Sequence, residues 1–240
     1  QSSSYPTVLF NAMVKPWTAF PIKGVIWYQG EANVGRSEQY GDLFPALITD
    51  WRRQWRSDFP FYFVQLANFM ESKKIQPDSE WAALREAQTK ALKLDQVGMA
   101  VTIDIGLADD IHPKNKQEVG RRLALVALAG SYGKNVSSSA PVFQNYIIKG
   151  NKMELDFGQK QDGFQIKGTT LKGFTIAGPD RVFYPAEAMV HDGKIILSST
   201  EVPAPLAARY GWADNPDCNL YGENGLPVAP FRTVGRWCKS

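Results

Sequence analysis

The chain has 240 residues, of which 27 are Lys or Arg and 24 are Asp or Glu, so its formal net charge is +3. Because 44% of the residues are hydrophobic and 21% are charged, the sequence can bury a core, which excludes a disordered protein. The small, dispersed charge excludes the concentrated basic footprint of most nucleic-acid-binding proteins. No window approaches the ~18 consecutive apolar residues of a membrane-spanning helix, and no signal peptide is evident. We therefore predict a soluble protein with no nucleic-acid or membrane partner.

Short apolar runs, rich in β-branched and aromatic residues, predict three buried strands in the first half of the chain. These strands span residues 22–28, 61–66 and 99–105. Apolar side chains at three-to-four spacing predict a helix after each strand, and Pro45 predicts a kink or a fresh start in the first helix. The third helix is expected to have Pro113 in its first turn and to end at Gly130 and Gly133. This alternation predicts an α/β fold with a parallel sheet covered by helices.

The pattern changes after about residue 135. Residues 137–141 predict a linker, and beyond it short runs of alternating polarity are separated by turn-forming pairs. The pairs are Gly150-Asn151, Asp162-Gly163 and Asp192-Gly193. We therefore predict two parts, residues 1–135 and an antiparallel β-rich region over residues 136–240, with irregular loops from about Val202 onward.

Polar residues follow each predicted parallel strand, at the sheet edge where such folds bind ligands. His112 lies between the third strand and the third helix, and the chain has only one other histidine, His191. Asp109 or Asp110 could accept the Nδ1 proton of His112 and leave Nε2 as a general base. The alternative is a surface loop whose acids cap the following helix.

A second polar group follows the first predicted strand. Gln29 and Asn33 flank Gly30 and Glu31, so that side-chain amides and backbone N–H groups could point at one spot and form an oxyanion hole. Alternatively, Gln29 and Glu31 form buried hydrogen bonds that shape the loop, and Gly30 supplies a special backbone angle.

Three polar residues of the predicted second helix could reach the same edge. They are Arg85, Glu86 and Gln88. Adjacent residues of this kind are more often simple helix surface or part of a structural salt bridge, and we predict one of these two roles for them.

The sequence offers neither a recognisable nucleophile motif nor a metal-binding motif. It contains no Gly-x-Ser-x-Gly nucleophile elbow, and a single histidine beside acids does not provide the spacing of a zinc site, so we expect no metal. Cys218 and Cys238 are the only cysteines. Their spacing leaves a disulfide open, and such a bond would favour an extracytoplasmic location, which is secreted, periplasmic or lysosomal, over a cytoplasmic one.

Several segments resemble the sialate O-acetylesterase family of the SGNH hydrolases. They are residues 6–13 (PTVLFNAM), 24–33 (GVIWYQGEAN), 81–88 (WAALREAQ), 110–120 (DIHPKNKQEVG), 218–221 (CNLY) and 225–227 (GLP). The resemblance implies a serine esterase that removes O-acetyl groups from sugars without a cofactor. It also implies a three-layer α/β/α catalytic domain followed by a β-rich region.

The resemblance assigns roles to individual residues. His112 corresponds to the general base, and the spacing usual in the superfamily slightly favours Asp109 over Asp110 as the acid that orients it. Gln29 and Asn33 match the block that supplies oxyanion donors, together with Gly30, whereas the role of Glu31 within that block is less clear.

One departure from the family pattern concerns the nucleophile. The Gly-Asp-Ser or Gly-Gln-Ser motif of the superfamily is absent from these 240 residues. We therefore expect residues 1–135 to be the C-terminal portion of an SGNH-like esterase domain, with the serine supplied by a missing N-terminal segment or a second chain. A parallel sheet without its first strands would expose an apolar edge that such a segment should cover.

Two alternatives to sialate O-acetylesterase activity remain open. The first is an acetylesterase that acts on xylan or another glycan. The second is a non-catalytic carbohydrate-binding or assembly subunit, for which Trp212, Tyr221 and Trp237 could stack on sugars, although most such aromatic residues belong to cores.

Overall fold

The computed structural model describes residues 5–73, 78–158 and 163–233. Its first part contains a three-stranded parallel sheet in the order β1-β2-β3. The strands are β1 (Val25–Trp27), β2 (Phe61–Val64) and β3 (Val97–Ala100). The predicted parallel sheet is therefore present, although the third strand begins earlier and ends earlier than the sequence pattern indicates.

Three helices accompany this sheet. They are α1 (Ser37–Trp55), α2 (Glu80–Thr89) and α3 (Lys116–Gly130). The prediction of a fresh start at Pro45 is wrong, because α1 is assigned without interruption through that residue. Pro113 does not lie in the first turn of α3 either: the helix begins three residues later, where the side chain of Asn115 accepts a hydrogen bond from the backbone N–H of Glu118.

Alternating side chains of β2 distribute the helices over the two faces of the sheet. Phe61 and Phe63 pack in one cluster with buried residues of α1 and α2. Tyr62 and Val64 point to the opposite face, where they pack against Val119, Leu123 and Val126 of α3. The result is the helix, sheet, helix layering that the strand and helix order predicts.

The second part of the chain is antiparallel. Its strands are β4 (Asn145–Lys149), β5 (Lys152–Asp156), β6 (Phe164–Ile166), β7 (Phe174–Ala177), β8 (Phe183–Pro185), β9 (Glu187–His191), β10 (Lys194–Ser198), β11 (Ala207–Tyr210), β12 (Leu220–Gly222) and β13 (Phe231–Arg232). They form sheets in the orders β4-β5-β10-β9, β13-β11-β7-β8 and β12-β6. These sheets share one hydrophobic cluster, against which Leu125 of α3 also packs.

Turn chemistry explains one hairpin directly. Asp192 and Gly193 both have positive φ, 48° and 71°, and they connect β9 to β10 as an Asp-Gly pair favours. The expected turn at Asp162-Gly163 falls partly outside the described residues. Most described residues after Val202 lie in loops, as predicted, but the stretch also contains β11, β12 and β13, which pair with other strands and which the sequence pattern does not predict. No helix in the described ranges is long and apolar enough to cross a membrane.

Candidate active site

The loops that follow β1, β2 and β3 meet at the carboxyl edge of the parallel sheet. The backbone N–H of Gly106, beyond β3, donates to Oδ1 of Asn68, beyond β2, at 2.6 Å. Phe69 and Leu107 of the same two loops form a parallel β-bridge. At the start of α3, Nζ of Lys116 lies 4.8 Å from the centre of the Tyr28 ring, which follows β1. The structure therefore brings the three segments that carry the candidate residues to one edge.

The loop after β1 holds its two amide side chains against each other. Nε2 of Gln29 donates to Oδ1 of Asn33 at 2.8 Å. The carbonyl of Gln29 accepts hydrogen bonds from the Tyr40 hydroxyl at 3.2 Å and from Nε2 of Gln88 at 3.3 Å. Because Oδ1 of Asn33 is the acceptor, its Nδ2 group is left as a donor, which is what an oxyanion hole needs.

Gly30 and Glu31 complete this loop. Gly30 is buried, and a Cβ at this position would lie 3.3 Å from Nε2 of Gln88 and from a methyl carbon of Leu66. Glu31 opens a single 3₁₀ turn, Glu31–Asn33, that follows directly. Because Gly30 has no side chain, it can pack closely against Gln88 and Leu66, and this packing positions the turn that contains Asn33.

The imidazole of His112 is exposed, with 85% of its side-chain surface accessible. Oδ1 of Asp110 lies 3.6 Å from Nδ1 of His112 and accepts a hydrogen bond from its backbone N–H at 2.9 Å. Asp109 is exposed. Since 3.6 Å exceeds hydrogen-bonding distance, Asp110 shapes the turn that carries His112 and does not form a close hydrogen bond with the ring.

A buried ion pair anchors both ends of the segment that carries His112. Asp104 accepts two hydrogen bonds from the guanidinium of Arg122 in α3, at 2.6 and 3.0 Å, and one from the hydroxyl of Tyr221 at 3.2 Å. Arg122 also donates to Glu118 at 2.8 Å. Asp104 lies four residues after the end of β3, and Glu118 lies in the first turn of α3. The network therefore joins the two ends of the loop between β3 and α3, which carries His112.

The pKa of Glu118 gives this network a pH dependence. Hydrogen bonds from Arg121, with those from Arg122, lower the pKa of Glu118 to about 2. A carboxyl whose pKa is lower in the folded state stabilises the fold at pH values above its unfolded pKa, and this contribution disappears as the pH falls through the folded pKa. We expect Glu118→Gln to lower the free energy of unfolding at pH 6, with the difference from the parent chain shrinking between pH 5 and pH 2. Urea unfolding at several pH values measures this; a constant difference would contradict it.

The amino-acid sequence matches a known protein family. The sequence profile of the family described as carbohydrate esterase, sialic acid-specific acetylesterase, matches residues 2–129. The chain belongs to this family.

Relatives from the family extend the match over nearly all of the chain. Sialate O-acetylesterases of Mus musculus and Homo sapiens are each 32% identical to it over 255 residues, covering 94% of the chain but 47% and 48% of those proteins. A crystal structure of a carbohydrate acetylesterase from Xanthomonas citri superposes with a TM-score of 0.90 at 46% identity, covering 95% of this chain and 54% of that one. The predicted fold class is confirmed, and the chain spans about half the length of the relatives it matches.

Sequence reasoning misses the part that Arg85 plays in this family member. The prediction of helix surface or a salt bridge is wrong for Arg85 and Gln88, because both side chains are fully buried. Arg85 donates to four backbone carbonyls, those of Leu66, Ala67, Ala213 and Asp214, at 2.7 to 2.9 Å. Glu86 does form a salt bridge, with Arg232 of β13.

The aromatic candidates for sugar stacking are mostly core residues in this structure. Trp212 and Tyr221 are 8% and 5% exposed, and Trp237 lies outside the described residues. Cys238, the possible disulfide partner of Cys218, also lies outside them. Burial raises the pKa of the Cys218 thiol to about 12, so this group is not an activated nucleophile.

Proposed function

We propose that the chain forms the base-bearing half of a carbohydrate O-acetylesterase that hydrolyses acetyl esters on sialic acid. The observation that carries the proposal is a contact between the neighbours of the two candidate groups in a member of this esterase family: Lys116, four residues after His112, lies 4.8 Å from the ring of Tyr28, which precedes Gln29. The name of the mammalian relatives, sialate O-acetylesterase, supports the substrate.

The proposed reaction has two steps. A serine hydroxyl attacks the acetyl carbonyl while Nε2 of His112 accepts its proton, and amide N–H groups of Gln29 and Asn33 stabilise the oxyanion. His112 then returns the proton to the departing sugar oxygen. Water, deprotonated by His112, hydrolyses the acetyl-enzyme and regenerates the serine. Asp109 or Asp110 orients the imidazolium, and no cofactor takes part.

The serine, in this proposal, comes from a segment outside the 240 residues. Support comes from the edge strand β1, which among the described residues pairs only with β2. Ile26 of β1 is paired with Tyr62 and shares its face of the sheet, yet 70% of Ile26 is exposed whereas Tyr62 is buried under α3. A further strand and helix added at this edge would cover Ile26 and satisfy the open backbone groups of β1.

The segment before β1 presents further apolar surface. Its exposed large apolar side chains are Tyr5, Leu9, Met13, Trp17 and Phe20. The segment is held to α1, because the indole of Trp55 donates to the carbonyl of Phe20 at 3.0 Å and Lys15 donates to Gln54 at 3.1 Å. Five exposed large apolar side chains within sixteen residues support an interface with another polypeptide at this segment.

Reconstitution tests this proposal. We expect the 240-residue chain alone to hydrolyse 4-nitrophenyl acetate no faster than buffer, and a mixture with the proposed serine-bearing segment to hydrolyse the ester at enzymic rates. A charge introduced at an exposed apolar position, Ile26→Glu, should block the gain by weakening assembly. Met189→Glu, on the exposed face of β9, is the matched control. Enzymic hydrolysis by the chain alone would overturn the assignment of the serine to another segment.

One comparison is compatible with a second substrate class, xylan or another glycan. The Xanthomonas citri relative is 46% identical to this chain, against 32% for the mouse and human proteins, and it is described as a carbohydrate acetylesterase with no sugar named. Rates on acetylated sialic acid and on acetylxylan, measured side by side with the reconstituted enzyme, separate the two. The proposal predicts the higher kcat/KM on acetylated sialic acid.

The location of the protein is part of the same proposal. A sugar ester on a glycan is met outside the cytoplasm, and we propose a secreted, periplasmic or lysosomal location.

A further inference from the structure

A cavity of about 510 Å³ lies where the loop after β2 meets the antiparallel region. Its lining includes Ser72 from that loop, Lys172 and Phe174 near the start of β7, and Trp212 and Asp217 from the loop after β11. Within the described part of the chain, neither His112 nor the Gln29–Asn33 pair lines it. The cavity is therefore a separate feature from the proposed catalytic groups.

The walls of this cavity combine an apolar floor with a charged rim. Pro185, which is exposed, and Pro216, which is partly buried, give the cavity its accessible apolar surface, and the nearly buried Phe174 and Trp212 back them. On the rim, Nζ of Lys172 lies 2.8 Å from Oδ2 of Asp217, with about half of the lysine and two-thirds of the aspartate side chain exposed. A pyranose ring has the matching chemistry, since its C–H faces pack on apolar surface and its hydroxyl groups both donate to carboxylates and accept from ammonium groups.

The apolar wall is held in place before any ligand binds. The guanidinium of Arg232 lies 4.7 Å from the centre of the Trp212 ring and forms a salt bridge with Glu86 of α2. Ala213, which follows Trp212 in the chain, accepts a hydrogen bond through its carbonyl from buried Arg85 at 2.7 Å. Because these contacts fix the wall, a ligand would not have to order it, and this lowers the cost of binding.

The same loop is bound to the edge that carries the proposed catalytic groups. Nδ2 of Asn68 donates to Asn215 at 2.7 Å, and Nδ2 of Asn215 donates to the carbonyl of Met70 at 2.6 Å. Oδ1 of Asn68 accepts from Gly106, at the start of the loop that leads to His112. A glycan seated in the cavity would thus lie against the loop after β2, next to the loop that positions the base.

We infer that this cavity is a binding subsite for a pyranose ring of the glycan, separate from the position of the acetyl ester. Its place in catalysis rests on the proposed function, but sugar binding itself requires no serine. Lys172 and Asp217 bind ring hydroxyls, and Pro185 and Pro216 form the apolar surface on which the ring packs. The antiparallel region then contributes directly to substrate recognition by the esterase.

Titration calorimetry on the 240-residue chain tests the subsite. The probes are the methyl glycoside of N-acetylneuraminic acid and xylobiose, neither of which carries an O-acetyl ester. Lys172→Ala removes a rim donor, and Ser72→Trp places an indole at the mouth of the cavity from an exposed position. Lys149→Ala is the matched control, because Lys149 is a half-exposed lysine whose Nζ lies 2.9 Å from Glu154 in a different sheet.

We expect at least one probe to bind the parent chain. Lys172→Ala should raise the Kd of that probe about tenfold, and Ser72→Trp should abolish binding. Lys149→Ala should leave the Kd unchanged. Circular dichroism establishes that each variant is folded. Failure of both sugars to bind, or binding unaffected by Lys172→Ala and Ser72→Trp, would overturn the subsite. Because the probes contain no ester, these results are independent of whether the reconstituted protein is an esterase.

Discussion

Replacing His112 by alanine is expected to lower the kcat of the reconstituted enzyme for 4-nitrophenyl acetate by about 10³-fold or more, with a smaller change in KM. The imidazole is the candidate base at the sheet edge, and no other described histidine lies there. The substitution removes an exposed side chain, so the fold should be preserved. Stopped-flow or steady-state rates with equal protein concentrations measure the effect.

His191→Ala is the matched control for this substitution. His191 ends β9, far along the chain from the catalytic edge, and its exposed ring is 3.5 Å from Asp192. We expect this variant to keep the parent rate. Equal losses in the two variants, or an unchanged rate in His112→Ala, would remove His112 from the mechanism.

The two acids beside His112 should respond differently to substitution. Asp110 already accepts the backbone N–H of His112, and an asparagine there retains that acceptor. Asp109, which is exposed and lies three residues before His112, is the acid that the family resemblance slightly favours as the partner of the ring. We therefore expect Asp109→Asn to lower kcat more than Asp110→Asn.

Replacing Arg85 by leucine is expected to destabilise the fold by about 4 kcal/mol or more. The side chain is fully buried, and its loss leaves the carbonyls of Leu66, Ala67, Ala213 and Asp214 without their donor. Arg85→Lys keeps a positive charge but lacks the forked donors, so it should be intermediate. For a chain of this size the leucine variant should melt about 10 °C or more below the parent.

Arg53→Leu is the control for Arg85→Leu. Arg53 lies in the last turn of α1, where 78% of its side chain is exposed and it forms an ion pair with Asp50. Such a surface change should alter the free energy of unfolding by no more than about 0.5 kcal/mol. If both variants melted at the parent temperature, the hydrogen bonds of Arg85 would not stabilise the contact between α2 and the antiparallel region.

The parallel sheet can be predicted because its signals are local. Apolar runs and helical periodicity place β1, β2 and the three helices, and the histidine beside two acids marks a strand end. The same pattern places the third strand too late because Thr102 is in a turn: its hydroxyl donates to the carbonyl of Gln65, and its own carbonyl accepts from Ile105. The spacing of apolar residues does not predict such a hydrogen bond, and so it does not predict where β3 ends.

The rest of the fold depends on partners that are distant in sequence. β12 is only three residues long and pairs with β6, so neither strand has a strong local signal. A surface or salt-bridge role is the natural prediction for Arg85 because charged side chains are rarely fully buried, and its four carbonyl acceptors come from two separate loops. Asp104 lies at a predicted strand end, but its pairing with Arg122 and Tyr221 requires the folded chain.

Labelling with a fluorescent organophosphonate tests most directly whether this chain supplies the base while another segment supplies the serine. The probe is added to the 240-residue chain, to the proposed serine-bearing segment, and to their mixture, and the polypeptides are separated by denaturing electrophoresis. We expect a label only in the mixture, only on the proposed serine-bearing segment, and strongly reduced with His112→Ala. A label on the 240-residue chain itself would contradict it.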